Sequence, residues 1–232
     1  MKSRITNKQN WGQIKTYQKR FKRQKRFSAM PRPYENRMQP ILHTGYLMFI
    51  RGKFLFQGLI ASLEEKNEYT FYAIIKSYWE HVAAFGYYYL RISALLNAGQ
   101  EEEAFLLAAK MGLGGRGFPT EEMIRNKGQN TEDYKLPNIY TMMDAVDKDF
   151  EKHLKQKGSM MRELYDEQIA EGGHTTYTGL TIATKWAPDR LSQLPDLKKS
   201  WESKDKASLV NLAAMSSTIF FFYWEKFEQF RK

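Results

Sequence analysis

Lys76, Glu80 and His81 are the residues of this chain best placed to do chemistry. Between Ala73 and Leu90 they are the only charged or ionisable side chains apart from tyrosines. Lys76 and Glu80 stand one helical turn apart, a spacing that lets them pair. In so apolar a stretch an unpaired charge is expensive to bury, so each group needs a partner. Two readings follow. One is a polar site inside a helical bundle. The other is a structural Lys76–Glu80 bridge with His81 on the surface. A buried bridge makes Glu80→Ala cost roughly 3–5 kcal/mol, because a cation is left uncompensated. An accessible one leaves the helix tolerant of alanine.

A second polar cluster lies at Glu171-Gly172-Gly173-His174, continued by Thr175, Thr176 and Tyr177. Glu-x-x-His is the spacing of di-iron bundles. Two glycines interrupt it here and no second copy exists, so no metal is expected. His174 is instead a natural partner for Lys76 or Glu80 where their helices meet. Glu80 or His174 then serves as general base and Lys76 stabilises phosphate charge, a candidate catalytic trio. Gly112 to Gly117 satisfies G-x-G-x-x-G. A dinucleotide fingerprint must follow a strand, however, and this one follows a helical stretch and ends in Phe118-Pro119. It reads as a helix-terminating loop in which Arg116 and the glycine amides suit a phosphate. Serine-nucleophile motifs, a Walker loop and His-Glu-x-x-His are absent, and no cofactor is expected.

The run from Ile74 to His81 resembles the Arg-Ser-x-x-Glu helix of a widespread bacterial family of helical domains of unknown function. Tyr165 to His174 resembles that family's Tyr…Ser-Glu…His-Pro segment. Such domains are similar to HEPN-type bundles, which are common in toxin–antitoxin and phage-defence systems. The resemblance covers about residues 41–230 and implies an all-α bundle in such a context. Lys76 stands where that family has arginine, and no proline follows His174. Active HEPN ribonucleases share Arg-x(4–6)-His. Lys76 to His81 has the spacing, but lysine lacks the planar fork of a guanidinium. The resemblance therefore does not imply RNA cleavage.

Helices must position these groups. Apolar periodicity predicts helices over 9–26, 41–65, 68–97, 100–111, 137–157, 159–170 and 205–230. The 41–65 helix tolerates Gly45, Gly52 and Gly58. Pro137 lies near a first turn, and Thr120 and Ser159 are candidate N-caps. Residues 174–200 are mixed and broken by Gly179, Pro188 and Pro195. The fold class is all-α, a bundle of about five core helices over residues 39–232 behind a basic arm over 1–38.

The arm holds the charge. Twelve Lys or Arg against Glu35 alone make residues 1–38 +11 in a chain of +10, so residues 39–232 sum to −1. Trp11, Ile14, Tyr17 and Phe21 recur at helical spacing among Lys15, Lys19, Arg20, Lys22, Arg23, Lys25 and Arg26. The expected partner is nucleic acid, RNA or DNA. The cations would meet phosphates, and Trp11, Tyr17 and Phe21 would stack on bases. An acidic protein, an anionic membrane or a second copy of the chain suits the same amphipathic helix. Lys-rich, acid-poor composition also describes a mitochondrial transit peptide. The absence of cysteine removes disulfides and thiolate chemistry, and agrees with a cytoplasmic location. Ala207 to Trp224 carries no charge, but Ser208, Asn211, Ser216, Ser217 and Thr218 interrupt it. A buried core helix is expected there, with no transmembrane segment.

Overall fold

The computed structural model describes residues 7–23, 38–113, 136–154, 158–173, 184–186, 188, 193–195 and 203–231. Its helices are α1 (Asn7–Arg23), α2 (Met38–Glu65), α3 (Glu68–Asn97), α4 (Glu101–Leu113), α5 (Ile139–Leu154), α6 (Met160–Leu164), α7 (Ala170–Gly173) and α8 (Ser203–Phe227). A π-turn over Tyr165–Ile169 joins α6 to α7, and a 3₁₀ turn over Glu228–Arg231 follows α8. Two three-residue antiparallel strands, β1 (Thr184–Trp186) and β2 (Gln193–Pro195), pair with each other in the mixed stretch. The fold is an all-α bundle.

Local chemistry sets the α2–α3 corner. Lys66 takes a left-handed φ of 56° and ends α2. Asn67 then caps α3, its side-chain oxygen accepting the Thr70 N–H at 3.0 Å. At the other end Gly99, at φ 73°, lets the chain turn back so that the Gln100 N–H reaches the Leu95 carbonyl. Between these stops α3 is apolar on almost every side. Tyr78, Trp79, Val82, Ala83, Phe85, Tyr88 and Ile92 are all fully buried. A helix of that kind belongs at the centre, and α3 touches α2, α4, α5 and α8.

Two helical glycines of α2 are contact points rather than tolerated defects. A Cβ on Gly45 would lie 2.1 Å from the Phe227 ring, and one on Gly52 would lie 2.7 Å from Phe220. The seven-residue spacing on both helices means that α8 runs antiparallel to α2, setting an aromatic ring over each glycine. The uncharged stretch of α8 is accordingly core. By length and composition, residues 207–231 suffice to cross a membrane, but 67% of the apolar 18-residue window within them is buried inside the protein. Ser216 and Ser217 are sealed in, and their hydroxyls donate to carbonyls of their own helix.

α1 corrects one expectation directly. Phe21 is 2% exposed and Ile14 is fully buried. The Phe21 ring packs on Phe49, Phe56, Phe220 and Phe221 at 4.6–5.7 Å. Tyr17 stacks on Phe221 at 5.0 Å, and its hydroxyl meets Thr218 Oγ1 at 2.8 Å. Trp11 is half-buried against the same core. Phe21 is therefore core and not free to stack on a base, because an apolar face finds its partner inside the chain first. Trp11 and Tyr17 keep part of their surface exposed. A boundary drawn by charge after residue 38 therefore does not divide the packing. The Asn10–Asn211, Tyr17–Thr218 and Arg20–Glu225 contacts run in step, so α1 and α8 are parallel neighbours.

The start of α6 also departs from expectation. Ser159 makes no capping bond to the backbone; its hydroxyl donates to Glu163 at 2.9 Å. The cap comes from α5. The Asp147 carboxylate accepts the Met161 and Arg162 N–H groups at 2.8 and 3.3 Å. Burial still holds its carboxyl above the usual range, although those two bonds pull the other way. The described residues of α7 end at the Gly172-Gly173 pair. Gly172 sits within α7, where a Cβ would meet the Tyr72 ring at 2.5 Å.

Candidate functional site

A cleft of about 580 Å³ opens between α2, α3, the end of α4 and the start of α5. Its two main walls are helical stripes in the same phase. Thr44, Leu47, Met48 and Arg51 come from α2, and Ser77, Glu80, His81 and Ala84 come from α3. Each set follows the i, i+3, i+4, i+7 pattern that puts side chains on one face. Met111, Gly112, Leu136, Ile139 and Met142 close the remaining side.

Glu80 is held from two directions. The Tyr165 hydroxyl donates to Oε1 at 2.6 Å, and Lys76 Nζ lies 3.9 Å from the same oxygen. Tyr165 is the first residue of the π-turn. Such turns often sit at functional sites, because the extra residue redirects a side chain. Burial, and then the neighbouring carboxylate, push the Tyr165 phenol up, so it remains a protonated donor. The Lys76 and Glu80 side chains are 25% and 36% exposed, which makes this an accessible pair rather than a buried bridge. Glu80 reaches the cleft; Lys76 braces it from the side and is not among the lining residues.

His81 is a correction. It is buried, not on the surface, at 6% exposure. Its Nε2 lies 2.7 Å from the Met48 carbonyl. A carbonyl only accepts, so Nε2 carries the proton and donates. Burial pulls its pKa down from 6.5 to about 4, against the Met48 bond and with help from Arg51. The unfolded chain therefore takes up a proton below pH 6.5 that the folded chain resists until about 4. The stability contributed by the neutral ring is whole above that window and is lost as pH falls through it, by up to about 3 kcal/mol. Urea melts across the window should show a steeper acid loss in the native protein than in His81→Gln, whose amide keeps a donor but cannot titrate. Identical pH slopes would refute this role for the imidazole.

His174 of the expected trio lies outside the described residues, as do Arg116, Lys25, Arg26 and Thr120. Gly112, the first glycine of the G-x-G-x-x-G run, lies in the last turn of α4, so no strand precedes it. Sequence reasoning missed Arg51 and the methionine wall, and reached Ser77 and Tyr165 only through the family resemblance. The only trace of Arg51 was its phase with Leu47 and Met48. Among the described residues, no group of three or more His, Asp or Glu is placed to hold a metal ion.

The second candidate surface is the outer face of α1. Lys8, Lys15, Lys19, Lys22 and Arg23 are exposed, on the side opposite Ile14 and Phe21. The helix contains no acid, and none of these five has a carboxylate partner among the described residues. Lys8 to Lys22 spans about 21 Å along the axis. Arg20 leaves this set. It pairs with Glu225, and its guanidinium lies 4.1 Å over the Phe221 ring.

The class defined by this geometry is an all-α bundle with a polar-walled cleft and one cationic helix face. No family model, curated protein or solved structure matches the chain.

Proposed function

We propose that this protein binds nucleic acid through the outer face of α1, by contact with the phosphate backbone. One observation supports the reading most. A helix locked into the core by Ile14 and Phe21 presents Lys8, Lys15, Lys19, Lys22 and Arg23 as a fixed, acid-free stripe. Fixed cations at helical spacing suit a regular polyanion and forfeit little conformational freedom on binding. With Phe21 buried and Trp11 and Tyr17 partly covered by the core, the exposed cations carry the contact, and binding that follows charge rather than sequence is expected. A defence or toxin–antitoxin context belongs to this reading only through the HEPN-like resemblance of the 74–81 and 165–174 segments.

Truncation is a poor test, because removing residues 1–38 would strip Ile14 and Phe21 from the core. Charge reversal is cleaner. Lys15→Glu/Lys19→Glu/Lys22→Glu should stay folded, since all three side chains are exposed. Anisotropy with labelled RNA and duplex DNA should show native affinity falling roughly a hundredfold between 50 and 200 mM salt, for about four phosphates engaged. The triple variant should lose most of both the affinity and the salt slope. Unchanged binding by that variant, or binding to anionic vesicles but to no nucleic acid, overturns the proposal.

A further inference from the structure

We infer that the cleft between α2 and α3 is a binding site for a mononucleotide carrying a guanine base, with the base read by Glu80 and the phosphate met by Arg51. This inference does not rest on the α1 surface. Its volume of about 580 Å³ falls in the range of small-molecule sites, which are largely apolar with a few placed polar groups. The polar groups here are of two kinds. Glu80 is a carboxylate oriented by Tyr165 at 2.6 Å through Oε1, which leaves Oε2 and the second acceptor position of Oε1 to accept two donors from a ligand. Arg51 is exposed at the rim and has no carboxylate partner among the described residues. Its planar fork matches a phosphate.

The space between them decides the body of the ligand. Met48, Met111 and Met142, with Leu47 and Ile139, form the apolar lining, and none of the described lining residues is a Phe, Tyr or Trp. Thioethers make favourable contacts with rings, so a flat aromatic body suits this slot better than an aliphatic chain. A carboxylate only accepts hydrogen bonds. Guanine presents an adjacent ring N–H and amino group as two donors on one edge, which a carboxylate can bind together. Adenine presents an acceptor at the matching ring nitrogen and would set a lone pair against the carboxylate. His81 offers the cleft no donor, since its Nε2–H is already given to the Met48 carbonyl. The ligand class that uses the acceptor, the slot and the rim cation together is a guanine nucleotide.

The test uses the full chain, with calorimetry and thermal melts against GMP, guanosine, AMP and inorganic phosphate. GMP should bind and raise the melting temperature, with AMP roughly tenfold or more weaker. Guanosine should bind more weakly than GMP, and phosphate alone should give no heat. Glu80→Gln should lose GMP affinity by roughly tenfold and narrow the gap to AMP, because an amide offers one donor and one acceptor. Arg51→Gln should weaken GMP and leave guanosine unchanged. Native protein that binds neither GMP nor guanosine, or that binds GMP and AMP alike, overturns the inference. So does Glu80→Gln that binds GMP as tightly as the native protein. Should Glu80→Gln fail to fold, the native GMP-to-AMP and GMP-to-guanosine ratios still decide it. The α1 charge-reversal variant should bind GMP normally, so failure of either proposal is visible separately.

Discussion

Phe21→Ala should destabilise the protein by about 3–5 kcal/mol, the usual cost of truncating a buried phenylalanine. For a chain of this size that is a fall in melting temperature of roughly 10 °C. The size of the effect follows from where the ring sits. Its neighbours Phe49, Phe56, Phe220 and Phe221 come from α2 and α8, so the void opens where three helices meet. Lys19→Gln, two residues away on the exposed face, should change stability by no more than about 0.5 kcal/mol. Thermal and urea melts of the two variants separate a docked helix from a solvated basic tail. If Phe21→Ala melts like the native protein, α1 is not part of the core and the cationic stripe is not a fixed surface.

Gly45→Ala should also destabilise strongly, although alanine is the better helix former by about 1 kcal/mol. The sign turns on packing. The new methyl would lie 2.1 Å from Phe227 Cζ and 2.4 Å from Cε1, and the Phe227 side chain is fully buried. Relief requires α2 and α8 to separate or the ring to leave its rotamer, for a net loss of about 1–3 kcal/mol or more. The double variant Gly45→Ala/Phe227→Leu should be less destabilised than the sum of its parts, because the smaller side chain gives the methyl room. Additive losses in a double-mutant cycle would show that the ring is not what the glycine accommodates. Gly112, whose added Cβ would sit 3.0 Å from the Thr44 hydroxyl rather than 2.1 Å from a buried ring, should respond more mildly.

Much of the fold was legible in the residues. The boundaries of α3 at Glu68 and Asn97 follow from Asn67 as a cap and Gly99 as a stop, and both act within a few residues of chain. The amphipathic character of α1, the apolar α8 and the Lys76–Glu80 pairing are equally local. Periodicity and i,i+4 spacing need no knowledge of the rest of the molecule. What periodicity cannot say is which surface an apolar stripe meets. Trp11, Tyr17 and Phe21 fit a nucleic-acid platform, a partner subunit or the protein's own core equally well. Only the groove between α2 and α8 selected the core.

The same limit explains the site. His81 follows Glu80 directly, and both line the cleft, yet Glu80 keeps an accessible carboxylate while the His81 ring is buried with its Nε2–H given to the Met48 carbonyl. A rotation of about 100° per residue becomes a difference in environment only once α2 lies alongside. Ser159 has the right chemistry for a cap, but Asp147, 14 residues upstream of the Met161 amide it accepts, took the position because α5 folds back over α6. Arg51 and Tyr165 gave no local sign of sharing a site with Glu80, since they join it from α2 and from the π-turn. Sequence alone determined where the main helices lie, the ends of α3 and the cationic face of α1, because propensity, capping and charge act over one or two turns. Tertiary structure decided the burial of the aromatics, the neutral His81 and the cleft itself. Those depend on contacts between helices distant in sequence, and only the packing of the whole core selects them.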